Sequence, residues 1–408
     1  MRSPDFARNM RFVGHSDVAG RGDGMQIMLH RGHAYLGHPF SGGFSIVDLR
    51  DPRHPGEVRF IPAPPNTWNL HLQTHDDLLL VVNAFDLVNG VRAFGDERAY
   101  YTQSVGQYVT GAQDWAAGMS VYDISRPMQP RKIGQLDIAG AGFHRIWYVG
   151  GRYAYASALF AGYSDYILAV IDMADPTRPE IIGRWGLPGM APGEGGPPSP
   201  PGQRWALHHA VISGTTAYAC WRDGGLTLLD ISDPTQPRLI RHLNWSPPFG
   251  GGTHSALPLP ARDLLVVADE AVLDGESDGR KHTWVFDIRS PQNPVSIATF
   301  PIPAEADYIA KGGHFGPHNL HENRPGSFVS DRLIFATWQN AGVRAVDISD
   351  PCHPVERGAY VPAAPDRVID PRPNRPRVIQ TADVFADANG LLYLSDYGAG
   401  IEIVEFTG

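Results

Sequence analysis

Cysteine is almost absent from this chain: two residues of 408, Cys220 and Cys352. Two thiols build no disulfide framework, and a reducing cytoplasm is the compartment expected. No apolar run reaches the ~18 residues that a membrane span needs, so no membrane contact is expected. The start, Met1 to Met10, lacks the apolar core of a secretion signal. Positive charge is short as well. Lys and Arg number 34 against 43 Asp and Glu, a net charge of -9, which argues against nucleic acid as a partner. There is no G-x-S-x-G, P-loop, dinucleotide fingerprint or CxxC pair, and so no sign of the chemistries those motifs serve. A helical period of useful length is missing too.

What the chain does have is repetition. FSIVDLRDPRHP, MSVYDISRPMQP, LAVIDMADPTRP, LTLLDISDPTQP, TWVFDIRSPQNP, VRAVDISDPCHP and a final IEIVEF share one pattern: β-formers, an acid, then a short turn. The acids are Asp48, Asp123, Asp172, Asp230, Asp287, Asp347 and Glu405, spaced by 75, 49, 58, 57, 60 and 58 residues. Asp bonds its own nearby backbone and Pro ends ladder pairing, so turn chemistry accounts for these acids without catalysis. In the fourth unit strands are expected near Leu207–Ile212, Thr216–Trp221, Leu226–Ile231 and Pro237–Leu243. Four strands per unit is a propeller blade.

The last unit stops at its third strand. Met10-RFVGHSDVAG-Gly20 resembles Arg131-KIGQLDIAG-Gly140, a fourth strand. The fold expected is therefore all-β: a seven-bladed β-propeller of four-stranded antiparallel blades, one domain over residues 1–408, with residues 10–18 completing blade seven. The segments Ser45-IVDLRDP and Leu226-TLLDISDP resemble the LVIVD-repeat family of propeller-like proteins. That resemblance implies the fold and little about function.

Inner strands of a propeller line its channel. Their starts carry His71 and His208 in a shared WxLH pattern, and His144, His254 and His318 at the matching places. Unit one offers Asp23 and unit seven Asp383. Converging imidazoles suit Fe(II) first, and also Mn, Zn, Cu or Ni, better than Ca or Mg. His209 adjoins His208, and strand alternation leaves one of the two facing the channel. Asp23 and Asp383 are candidates to orient water or move protons, and Arg145 to clamp a substrate carboxylate. Long insertions at 86–117, 186–204, 244–251, 301–316 and 361–377 fall on the face where the histidines start, as binding loops do.

The expected function is a metal-dependent enzyme acting on a small organic molecule, in first place a non-haem iron oxygenase. In ring number and site it resembles the four-histidine Fe(II) centre of carotenoid-cleavage oxygenases, though not in motif. A redox-neutral lyase, isomerase or hydrolase is the alternative within catalysis. A non-catalytic propeller that docks proteins is the alternative outside it. The sequence leaves the oligomeric state open.

Overall fold

The computed structural model describes residues 3–90, 97–107, 109 and 112–408. It is all-β and antiparallel, in four-strand units consistent with a propeller. The first unit runs Ile27–His30, His33–His38, Gly43–Asp48, Val58–Pro62 in spatial as well as chain order. The same meander repeats in Leu72–His75 to Arg131–Asp137, Gly140–Trp147 to Glu180–Trp185, Trp205–Ser213 to Arg238–Leu243 and Thr253–Leu259 to Val295–Thr299. Single pairs, Gly142 with Ala84 and Thr253 with Arg222, join neighbouring units into larger sheets. Leu333–Thr337, Val343–Asp347 and Val355–Val361 follow, with Phe6–Arg8 added outside. Thr381–Ala386, Leu391–Asp396 and Gly400–Phe406 close the chain, and Met10–Ser16 lies antiparallel against the last of them.

The recurring acids set the strand ends. Asp123, Asp172, Asp230, Asp287 and Asp347 each accept the backbone N–H two residues on, at 2.8–3.0 Å, and Asp48 does so at 3.1 Å. This local bond turns the chain before the next strand. Glu405 departs from the pattern and pairs with Arg11 across the terminal strands. A second contact ties unit to unit. A Cβ at Gly134 or Gly183 would overlap the carbonyl oxygen of Pro176 or Pro234 in the next unit's turn. Gly14 stands against the Pro52 carbonyl in the same way. The contact between successive units thus also links the last sheet to the first. Only glycine allows so close a backbone approach.

Apolar clusters fill the spaces between units, for example Leu80, Val82, Met119, Ala156 and Val170 in one and Val266, Val285, Ile334 and Ala336 in another. No helix of the described residues is long and apolar enough to cross a membrane.

Deleting residues 1–19 removes the outer strand from two sheets and bares the Gly400–Phe406 edge. The truncated protein is expected to aggregate or to lose its cooperative transition; calorimetry matching the full chain would contradict this. A second expectation concerns His321, which is buried. It accepts the Phe335 N–H at Nδ1 (3.0 Å) and donates from Nε2 to Asn323 (3.2 Å). Burial lowers its pKa to about 4. Unfolded chains take up this proton below pH ~6.5 while the folded one does so only near 4, so stability falls as pH drops through that window. By linkage the loss is roughly 3 kcal/mol. His321→Gln should therefore show a flatter stability profile between pH 6.5 and 4 in denaturant titrations than the parent.

Candidate metal centre

The inner strands do not reach the channel mouth in register. Pairing slips between Trp68 and Leu72, Phe143 and Ile146, Trp205 and His209, and Thr253 and Ser255. His71, His144, His208 and His254 lie inside these four slips. Such bulges re-aim side chains, and here they turn imidazoles toward one cavity. Ring centroids are 4.9 Å apart for His71 and His144, 4.8 Å for His144 and His208, 3.6 Å for His208 and His254, and 4.4 Å for His254 and His318. All five line one cavity, with Met25, Phe40, Trp68, Tyr101 and Tyr397 among its walls.

The donors fall into two groups, His71 with His144 and His208, and His254 with His318 and Glu270. Within each, ligand atoms lie within 4.8 Å of one another. Glu270 was not among the sequence candidates. It follows the second strand of its unit, Leu264–Asp269, and reaches the same mouth. Arg222 and Tyr397 arrive by the equivalent route at the ends of second strands. A polar residue directly after a buried apolar strand was the available signal.

Burial and surrounding positive groups hold the pKa of His71, His144 and His208 well below the ordinary value. Burial does the same for His254, although Glu270 opposes it. These rings are neutral and offer lone pairs. Burial pushes Glu270 up, but His254, His318 and Arg222 outweigh it and keep the carboxylate ionised. His208 donates from Nδ1 to the His254 carbonyl (3.0 Å), and His318 donates from Nδ1 to that of Ala382. Each is left with Nε2 free of that proton. His318 Nε2 then stands 3.3 Å from Glu270 Oε1, and His254 Nε2 stands 3.5 Å from Oε2. Either a proton on these nitrogens or a cation between the groups satisfies such contacts. Glu270 Oε2 and His254 Nδ1 are moreover buried without a hydrogen-bond partner. This donor set fits a divalent ion.

Several sequence candidates lie elsewhere. His209 pairs in register with Cys220, faces Trp147 and does not line the cavity. Both its nitrogens are buried without partners. Asp23 is consumed by the backbone N–H groups of Phe40 and Ser41 (2.7 Å each) and by the Ser41 hydroxyl (2.5 Å), and unit one presents Met25 to the cavity in its place. Asp383 is one residue too late: register slips between Thr381 and Asp383, so Ala382 holds the position of His254. Asp383 accepts the Ile27 N–H (3.1 Å), and burial raises its pKa to about 6.

Arg145 is likewise one residue past His144 and lies behind the histidines. It donates to His71 Nδ1 (3.2 Å) and pairs with Glu322 (3.3 Å). Of the insertions, 86–117 supplies Val88 and Tyr101 to the cavity wall and 361–377 supplies Arg372; residues 91–96, 108, 110 and 111 lie outside the described residues. The insertion at 186–204 supplies no wall residue.

The LVIVD repeat, as a protein family, matches this chain at residues 209–244 and 334–361. The chain is a carrier of that β-propeller-type repeat. No curated protein matches it. Among solved structures it is similar to a functionally unknown protein from Desulfotomaculum acetoxidans DSM 771, with a TM-score of 0.50 and 9% identity over 83% of this chain and 85% of that chain. It is also similar to the computationally designed Ika8 protein, with a TM-score of 0.47 and 9% identity over 94% of this chain and 96% of that chain. The former likeness is one of fold.

Proposed function

We propose that the chain is a single closed seven-bladed propeller whose channel mouth binds a divalent transition metal, and that it is a metal-dependent enzyme acting on a small organic molecule. The Gly14–Pro52 contact and the pairing of Met10–Ser16 with Gly400–Phe406 support closure. The observation that carries the metal is the buried trio His254, His318 and Glu270, whose ligand atoms lie within 4.8 Å of one another, with Glu270 Oε2 and His254 Nδ1 left without hydrogen-bond partners. Two histidines and one carboxylate are the donors of non-haem Fe(II) sites, and Fe(II) remains first choice ahead of Mn, Zn, Cu or Ni. Neutral His208 and His144 line the same cavity as further nitrogen donors.

When bound, such an ion supplies Lewis acidity or, as iron, redox chemistry. The chain does the rest. Phe40, Trp68, Tyr101 and Tyr397 wall the cavity with apolar surface and exclude water from part of it. Arg222 pairs with Glu270 (3.5 Å) and Arg372 with Asp370 (2.5 Å), so each guanidinium on the cavity wall is matched by a carboxylate. The oxygenase, lyase, isomerase and hydrolase readings share this site. Free thiols at Cys220 and Cys352 agree with a cytoplasmic setting.

Elemental analysis of protein purified without chelator should find a transition metal. His254→Ala and Glu270→Gln should each lower metal affinity by about two orders of magnitude or more while the fold is kept. His353→Ala, altering an exposed ring paired with Asp350, should leave it unchanged. Metal-free parent protein that also binds none on titration would overturn the proposal in favour of a protein-docking propeller.

A further inference from the structure

Proximity alone would make His71 a ligand, alone or in a second metal site with His144 and His208. Its hydrogen bond says otherwise. A guanidinium has only donors. Arg145 Nη1 at 3.2 Å from His71 Nδ1 therefore requires that nitrogen to be the acceptor. In a neutral imidazole the one proton is then on Nε2. His71 differs in this from His208 and His318, which carry theirs on Nδ1, donated to backbone carbonyls. To ligate through Nε2 with Arg145 in place, His71 would have to surrender its remaining proton.

Arg145 is not free to withdraw. It is buried, and Glu322 accepts from its Nη2 (3.3 Å). Glu322 also accepts from Arg324 Nη1 (3.1 Å) and Gln73 Nε2 (3.3 Å). Arg324, buried in turn, donates to Gln73 (2.6 Å) and to the carbonyls of Thr74 (2.7 Å) and Tyr148 (3.0 Å). This layer binds inner strands of neighbouring units together beneath the cavity. Meanwhile His71 Nε2 makes no hydrogen bond to the described residues, and its ring lines the cavity.

We infer that His71 is a hydrogen-bond donor to whatever occupies the cavity beside the metal, through Nε2–H, and that Arg145 is the residue that positions it. The inference rests on the metal reading above. The group it recognises is an oxyanion, a metal-bound water or another small anionic ligand, since a fixed N–H in a partly desolvated site favours developing or full negative charge. Arg145 thus acts on chemistry through His71.

The test uses the full chain loaded with Co(II), and azide as the anionic probe. The parent and His71→Gln should each bind one Co(II) with Kd values within about threefold, whereas His254→Ala should not. Azide binding, followed in the cobalt visible bands, should weaken roughly tenfold in His71→Gln and in Arg145→Met, as expected for one lost charge-assisted hydrogen bond. Independently of any variant's folding, nitrogen-15 NMR of histidine-labelled, Zn(II)-loaded parent should show His71 with its proton on Nε2. Loss of Co(II) from His71→Gln, a second equivalent of Co(II) in the parent, unchanged azide affinity, or a proton on Nδ1 would each overturn the donor role and leave the metal centre standing. No Co(II) bound by the parent would overturn both.

Discussion

Inner strands that converge on one mouth cannot all carry regular side-chain alternation to the rim, because the space narrows toward the centre. The slips in register at Phe143–Ile146, Trp205–His209 and Thr253–Ser255 resolve that crowding. Each slip takes one to three residues out of the ladder, and in each one of them is a histidine that lines the mouth. The cost is a few unmade strand pairings. Part of the compensation is visible: the carbonyl of His254 receives the Nδ1 proton of His208, and that of Ala382 receives the proton of His318. The backbone irregularity thus both aims the rings and fixes which nitrogen of two of them is bare.

The same feature explains what could be read in advance. The strand–acid–turn unit was legible because its chemistry is local: Asp accepts a bond two residues on, whatever surrounds it. The five histidines were legible because they recur at one position of a repeat. Placement to a single residue was not. Asp383 was matched to the column as the residue at the start of its strand, yet the slip puts Ala382 there, and Asp383 shares the following position with Arg145. Asp23 fails for another reason. A carboxylate near a tight turn satisfies loop N–H groups first, as it does with Phe40 and Ser41. Glu270 was not legible because it follows the second strand of its unit rather than opening the first, although both reach the same rim.

Two polar layers stack along the channel, and they differ in kind. The upper holds neutral rings around one carboxylate, with hydrogen-bonding capacity to spare. The lower, Arg145, Glu322, Arg324 and Gln73, is cross-bonded, with Arg145 Nε left without a hydrogen-bond partner. A buried network of such bonds stiffens what stands on it. Unspent capacity above satisfied capacity is how a rigid scaffold presents a reactive face.

The clasp between Met10–Ser16 and Gly400–Phe406 bears on how the protein is made. The first of these strands leaves the ribosome early and has no lasting partner until the last strand appears, hundreds of residues later. Intermediate units can meander and pack as they emerge, since their strands are neighbours in the chain. The pairing of the first strand with the last cannot form during translation. Through that interval the nascent chain carries one orphan strand and one growing, unprotected sheet edge, the species most prone to wrong partners. Rapid completion of synthesis, or a chaperone that holds the leading segment, is therefore a requirement set by topology rather than by the stability of the finished fold.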